Sequence, residues 1–276
     1  MTENDPQTDA ETTDRPIDSA DGLPCVPQRI LFEGRYRKLI RGVPQTVFHC
    51  PDCRGKGCDH CEGLGRLALD SVQDWIARVA MPRFKARRNK FHGAGREDID
   101  VLMLGTGRPF VFEMSKCKRL DVNLEQLALD VAERSGGAVE LVDLRYCEKA
   151  QVAVIKETLH AKTYQLKVDF PEGAPAAEEM AAKLDDLVAQ GRFEITQRTP
   201  QRVAHRRADR NRVRWITVEK WAVDGEGIRV DLDSAHGTYI KEFVSGDEGR
   251  NEPNLADLLG APARCVQLDV LRIHEN

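Results

Sequence analysis

The spacing of apolar positions changes several times along this chain, and each change marks an element. After Ser71, whose hydroxyl suits a helix N-cap, Val72, Trp75, Ile76 and Val79 fall on one helical face. Leu124, Leu127 and Val131 repeat that spacing ahead of Gly136 and Gly137, and Met180, Leu184, Leu187 and Val188 do so before Gly191. Strand-like runs occupy 109–114, 139–147, 151–157 and 164–170. The segments 213–223 and 228–233 flank Asp224-Gly225, a dipeptide favoured in hairpin turns. Strands beside strands, with helices between groups of them, predict an α+β domain around a largely antiparallel sheet.

Composition sets the frame for these elements. At 276 residues and 41% hydrophobic the chain can bury a substantial core, and it has no apolar run long enough to span a bilayer. The acidic N-terminus lacks the basic and apolar regions of a signal peptide, so a cytoplasmic protein is expected, with a monomer as the default. Residues 1–24 carry seven acids against Arg15 and offer little to bury, so they are expected to be a disordered tail. A module and connector are expected over 25–68 and a catalytic domain over 69–276.

The module is defined by Cys50-Pro-Asp-Cys53 and Cys58-Asp-His-Cys61. Two C-x-x-C turns bearing thiolates can close a tetrahedral zinc site with no open position, which makes the metal structural. A dithiol redox pair or disulfides remain the alternatives. His49 and His60 flank the ligands, but four cysteines complete the set without them. Cys25, Cys117, Cys147 and Cys265 lie in mostly apolar surroundings and read as core residues.

The net charge of -4 conceals two basic clusters. Residues 83–96 carry Arg83, Lys85, Arg87, Arg88, Lys90 and Arg96 with no acid, and residues 192–214 carry eight arginines, among them Arg198, Arg202, Arg206 and Arg207, against Glu194 and Asp209. Two such clusters point to a polyanionic partner, because each phosphate contact releases counterions.

Between the first cluster and an apolar run lies Gly93-Ala-Gly-Arg-Glu-Asp98-Ile-Asp100. A carboxylate on a glycine-rich loop allows close approach of a substrate backbone. Spacing alone reads Glu97, Asp98 and Asp100 equally well as partners of Arg96 and Arg108. Gly95-Arg-Glu-Asp98 resembles the catalytic motif of pseudouridine synthases. The longer run from Lys90 through Gly107-Arg-Pro-Phe110, with Gln197-Arg-Thr-Pro-Gln-Arg-Val-Ala-His-Arg-Arg-Ala-Asp209 and His236-Gly-Thr-Tyr-Ile-Lys-Glu-Phe-Val-Ser-Gly-Asp247, resembles the Pus-ten family of tRNA pseudouridine synthases of archaea and eukaryotes. The cysteine module is similar to the one archaeal members carry.

The resemblance implies a pseudouridine synthase catalytic fold and an isomerase that acts on uridines 54 and 55 of the tRNA T arm without a redox or organic cofactor. It implies Asp98 as the catalytic carboxylate, Tyr164 as the tyrosine stacked on an extruded base, Tyr239 at the pocket border and Lys241 as the cation beside Asp98. Arg198, Arg202, Arg206 and Arg207 then become contacts to the tRNA backbone. Family members normally carry a further N-terminal RNA-binding domain, which makes a separate domain of that kind a candidate partner. Three other readings remain: a non-catalytic zinc-containing RNA-binding module, a metal-dependent nuclease using Asp98 and Asp100, and a zinc-bearing chaperone module.

Overall fold

The computed structural model of the chain describes residues 17–18, 24–25, 28–205 and 207–274. Of the tail expected to be disordered, only Ile17–Asp18 (β1) and the start of Pro24–Cys25 (β2) fall among these, and the two form a short antiparallel pair. The remainder of that tail lies outside the described residues, as do Arg206 and the side chain of Cys25.

Ten further strands form one sheet: β3 (Gln28–Lys38), β4 (Arg88–Gly93), β5 (Leu102–Cys117), β6 (Val139–Tyr146), β7 (Lys162–Asp169), β8 (Arg192–Arg198), β9 (Asn211–Asp224), β10 (Gly227–Ser234), β11 (Asn251–Glu252) and β12 (Arg264–Ile273). Their order is β11-β8-β9-β10-β7-β12-β5-β3-β6, with β4 also paired to β5. Only β12 and β5 run parallel. The expected α+β architecture with a largely antiparallel sheet is therefore present. Among the described residues seven α-helices complete it: α1 (Val72–Arg83), α2 (Leu124–Arg134), α3 (Gln151–Glu157), α4 (Ala177–Gln190), α5 (Gln201–Ala204), α6 (Ile240–Ser245) and α7 (Leu255–Leu259). Among the described residues no helix is long and apolar enough to cross a membrane.

The sheet hangs on β5. Its Phe110, Phe112 and Met114 are fully buried on one face, and Val111, of opposite parity, is fully buried on the other. On the first face Phe32 stacks on Phe112 at 5.4 Å and Phe91 on Phe110 at 5.3 Å, and α1 closes the layer with Val72, Trp75, Ile76 and Val79. Ser71 caps α1 as its sequence predicts, its hydroxyl accepting the Asp74 N–H at 3.0 Å. α2 and α4 likewise bury the expected leucines, and the hairpin β9–β10 forms around Asp224 and Gly227.

Two expectations are corrected. The run 151–157, read as a strand, is the helix α3. The N–H groups of Gln151, Val152 and Ala153 bond to the carbonyls of Glu148, Lys149 and Ala150, which starts a helical turn. Seven residues are too few for period to decide, and packing of Val152 and Ile155, three apart on one helix face, against Leu31 and Val111 settles it. The strand β3, placed by sequence within the 25–68 connector, pairs with both β5 and β6 and belongs to the main sheet. Its alternation is masked by Arg35, Arg37 and Lys38, and Lys38 is fully buried.

On one edge β5 is paired first with β12 at Leu102–Met103 and then with β4 from Phe110 onward. Gly105, at φ +56, bridges the gap, and a Cβ there would lie 1.9 Å from the carbonyl oxygen of Leu271 in β12. Gly105→Ala is expected to cost at least ~2 kcal/mol in urea denaturation, through backbone collision added to left-handed strain. Gly137→Ala, at φ +80 with nothing within 4 Å, should cost ~1 kcal/mol or less.

Candidate active site

The segment from Ala94 to Val101 leaves the end of β4, turns, and enters β5. Its backbone carbonyls are held individually. Arg108 Nη1 donates to Ala94 O at 2.8 Å and Gln45 Nε2 to Gly95 O at 3.1 Å. Lys38 Nζ donates to Asp98 O and Ile99 O at 3.3 and 3.2 Å, and to Val43 O at 2.7 Å. Burial lowers the Lys38 pKa while the Glu97 carboxylate opposes that shift.

Glu97 anchors the loop from below. Its side chain is 1% exposed, paired with Arg108 Nε at 2.8 Å, and both carboxylate oxygens accept from the Tyr36 hydroxyl at 2.8 and 2.9 Å. Gln45 donates to that same hydroxyl at 2.8 Å. Burial, with Glu97 alongside, holds the Tyr36 phenol well above its ordinary pKa, so it remains a donor. Of the pairings open to the loop carboxylates, Glu97 thus takes Arg108, while Arg96 turns to Thr46 Oγ1 at 2.8 Å.

Asp98, the next residue, is half-exposed, its side chain 44% accessible. Two cations flank it: Arg202 Nη1 at 3.6 Å from Oδ1 and Lys241 Nζ at 3.8 Å from Oδ2. Lys241 binds Asp100 more closely, at 2.8 Å. Burial raises the Asp100 carboxyl, but the hydrogen bond and charge of Lys241 outweigh it and hold the group below its ordinary value. Residues 98–101 form a turn closed by Val101 N–H to Asp98 O at 3.1 Å. Both carboxylates lean on one ammonium, that of Lys241.

Arg202, read from sequence as a backbone contact, stands at the site. Its Nε donates to Glu242 Oε1 at 2.5 Å, and Glu242 is a buried residue of α6. Arg198 is occupied by Asp209, Nε to Oδ2 at 2.9 Å, and Arg207 donates to the Tyr239 hydroxyl at 3.0 Å. Arg206 lies outside the described residues. Tyr239 is positioned by Gln197, whose side-chain amide donates to Tyr239 O and accepts from Tyr239 N, each at 2.9 Å. Tyr164 is half-buried on β7; burial pushes its phenol up to about 12, Arg108 opposes the shift, and Glu97 and Asp98 reinforce it. The three sequence motifs therefore converge on Asp98. Sequence reasoning missed the support beneath it, Tyr36, Lys38 and Gln45, for which only the polar interruptions in an apolar pattern were a signal.

The four cysteines also converge. Cys50 and Cys58 Sγ lie 3.7 Å apart, as do Cys53 and Cys61, and all four atoms fall within 4.8 Å of one another. Tetrahedral Zn–S bonds of ~2.3 Å would place sulfurs ~3.8 Å apart, so the geometry fits a metal. Gly57 and Gly65 N–H donate to Cys53 and Cys61 Sγ at 3.2 and 3.1 Å, as thiolates require. His60 is paired with Asp52 at 2.5 Å instead of joining the set. None of the described cysteines is in a disulfide, and Cys117 is buried while Cys147 and Cys265 are half-buried.

Glu97→Gln leaves Arg108 charged and without its anion in a dry site. It is expected to destabilise the protein by ~3–5 kcal/mol in chemical denaturation. A loss below ~1 kcal/mol would show that the pair does not anchor the loop.

Comparison with known proteins identifies the lineage of this arrangement. A family model described as "Pus10, C-terminal" matches residues 31–274. The chain is 42% identical over 248 residues to the tRNA pseudouridine synthase Pus10 of Methanothermobacter marburgensis, covering 89% of this chain and 60% of that protein. It is 42% identical over 245 residues to the Pus10 of Archaeoglobus fulgidus, covering 88% of this chain and 67% of that protein. It is 42% identical over 247 residues to that of Halorubrum lacusprofundi, covering 87% and 57%. The chain thus spans little more than half the length of most of these relatives. Among solved structures, a Cbf5-Nop10-Gar1 complex covers 73% of this chain and 45% of the matched chain at 14% identity with a TM-score of 0.41, too low to add to the fold assignment. The match over nearly the whole described chain places it in the Pus10 family, as a relative of that family's C-terminal region.

Proposed function

We propose that this chain isomerises uridine to pseudouridine in tRNA, with Asp98 as the reacting carboxylate. The observation that carries the reading is the contrast between Glu97 and Asp98: one carboxylate buried and neutralised, its neighbour half-exposed between Arg202 and Lys241 on a loop held at four carbonyls. The curated relatives named as tRNA pseudouridine synthases support the chemistry and the substrate class.

In this reaction the bond between uracil N1 and ribose C1′ breaks, the base turns, and C5 bonds to C1′ while the C5 proton is lost and N1 gains one. Attack on C1′ and removal of the C2′ proton both start from the carboxylate anion, and the two cations lie within 4 Å of it. Preorganised charge of this kind needs no rearrangement when the sugar becomes electron-poor. Tyr164 supplies an aromatic face to an extruded base, and Tyr239, fixed through Gln197, borders the same space. The T arm, at uridine 54, uridine 55 or both, is the proposed target. Asp100 tethers Lys241 and thereby limits where that ammonium can go. Zinc is the proposed occupant of the four-cysteine site, where it would hold 50–65 in shape and take no part in the reaction.

An unmodified tRNA transcript incubated with the purified chain should gain pseudouridine at position 54 or 55, read by primer extension after carbodiimide treatment. Asp98→Ala should abolish product, by at least ~10³-fold, while retaining RNA binding. Binding without product from either protein would instead favour the RNA-binding module.

Metal analysis should find about one zinc per chain. Cys53→Ser should lower that content and expose 50–65 to proteolysis while the sheet still unfolds cooperatively; a metal-free chain with an intact module would overturn the assignment.

A further inference from the structure

A second group of charged side chains lines the same sheet beyond Tyr164 and has no part in holding the Asp98 loop. Lys162 opens β7 and pairs across the sheet with Ser234 of β10, which in turn pairs with Ile216 of β9. Residues directly opposite share a face, and so do residues two apart along a strand. Lys162, Tyr164 and Arg214 therefore project from one face. His236 follows two residues after Ser234, in the turn that carries Gly237 and leads to Tyr239. Arg214 Nη2 reaches to 3.8 Å from the Cβ position of Gly237, which brings Arg214 against that turn.

The polar atoms of this group are poorly satisfied. Lys162 is 5% exposed, and its ammonium donates to one acceptor, His160 O at 3.1 Å. Among the described residues no carboxylate lies within ion-pair distance of it. Arg214 Nε and His236 Nδ1 are buried without a hydrogen-bond partner. Burial pulls the Lys162 pKa down to about 8, and Arg108 pushes the same way, so near neutral pH the ammonium is still largely charged. Burial also lowers the His236 pKa, with Lys162, Arg214, His160 and Arg108 acting in the same sense, which leaves a neutral imidazole able to donate one N–H. A buried ammonium without an anion, and a guanidinium and an imidazole each with a buried donor unused, destabilise the protein that carries them. An anionic ligand would remove that penalty.

We propose that Lys162, Arg214 and His236 form an anion subsite that receives the RNA phosphodiester flanking the uridine presented to Asp98. The proposal rests on the uridine-isomerase reading above. Its position supports a phosphate: Lys162 and Tyr164 are two residues apart on one strand, about 7 Å, within reach of a single nucleotide. A uracil carbonyl would be satisfied by one donor, whereas this cluster offers three and a net positive charge. A phosphate gripped here would pull the backbone toward the sheet as the base leaves its stack, so the subsite would act in extrusion as well as in affinity.

The test uses the full chain and an unmodified T-arm stem-loop, with dissociation constants measured by fluorescence anisotropy across a potassium chloride series. Lys162→Met and Arg214→Gln should each weaken binding about tenfold and flatten the slope of log affinity against log salt by ~0.7–0.9, as loss of one phosphate contact requires. Arg214→Lys should keep the parent slope. A neutral methylphosphonate at the phosphate beside the target uridine should reproduce the loss in the parent and add nothing in Lys162→Met. Lys162→Met should also melt higher than the parent at pH 7, since it removes a buried charge that lacks a partner; this separates the variant from one that fails to fold. Unchanged salt slopes, or losses from methylphosphonate and variant that simply add, would overturn the subsite. If the parent makes pseudouridine and the variants match it in KM and salt slope, the subsite falls and the isomerase stands. If the salt pattern appears but no pseudouridine forms, the subsite stands as an RNA contact and the isomerase reading falls.

Discussion

The ion pair between Glu97 and Arg108 is the interaction on which the site depends. Both side chains are almost wholly removed from solvent, and a charge in such surroundings is tolerated only when paired and hydrogen-bonded. The Tyr36 hydroxyl donates to Glu97 and the Ala94 carbonyl accepts from Arg108, while Gln45 holds the Tyr36 hydroxyl from behind. A buried pair of this kind contributes little net stability against a well-packed apolar alternative. What it does here is fix one register for the loop, so that the residue after Glu97 is held out between Arg202 and Lys241.

That constraint explains how residues far apart in sequence share a site. Asp98 comes from the β4–β5 connection, Arg202 from the short α5, and Lys241 from α6, yet all three meet within 4 Å. β5 makes this possible by accepting β12 and β4 in succession along one edge, which opens a gap in the sheet where the loop can cross. α6 is seated by Ile240, Phe243 and Val244, all buried, so the position of Lys241 derives from the core. Electrostatics around Asp98 are local: an overall charge of -4 coexists with the cations there because the first 24 residues carry seven acids against one arginine, leaving the rest of the chain slightly positive.

Much of the fold was legible in the sequence where apolar spacing was long and regular. α1, α2, α4 and the β9–β10 hairpin follow from it. α3 was not, because three of the seven residues of Gln-Val-Ala-Val-Ile-Lys-Glu are β-branched and the packing of Val152 and Ile155 against Leu31 and Val111 selects the helix. β3 was passed over because a fully buried lysine breaks its alternation. For the site, Asp98, Tyr164 and Lys241 were reached through resemblance to known motifs, which report chemistry but not pairing. Lys241 was read as the cation beside Asp98 and does stand there, but its shorter contact with Asp100 was not foreseen, nor was the approach of Arg202 to Asp98. Partner choice among nearby charges is set by distances of an ångström, and no linear pattern carries that information.

The cysteine module leaves and re-enters the fold at one place. Leu67 N–H bonds to Phe48 O, His49 bridges Arg66, and the first turn of α1 is tied to Pro44 O and Gln45 O. Its two ends are therefore held together by the body of the protein whatever lies between them. Such an excursion can be lengthened, shortened or exchanged over evolutionary time without moving any strand of the sheet, while Gln45, at its root, keeps its grip on both Tyr36 and the loop that presents Asp98.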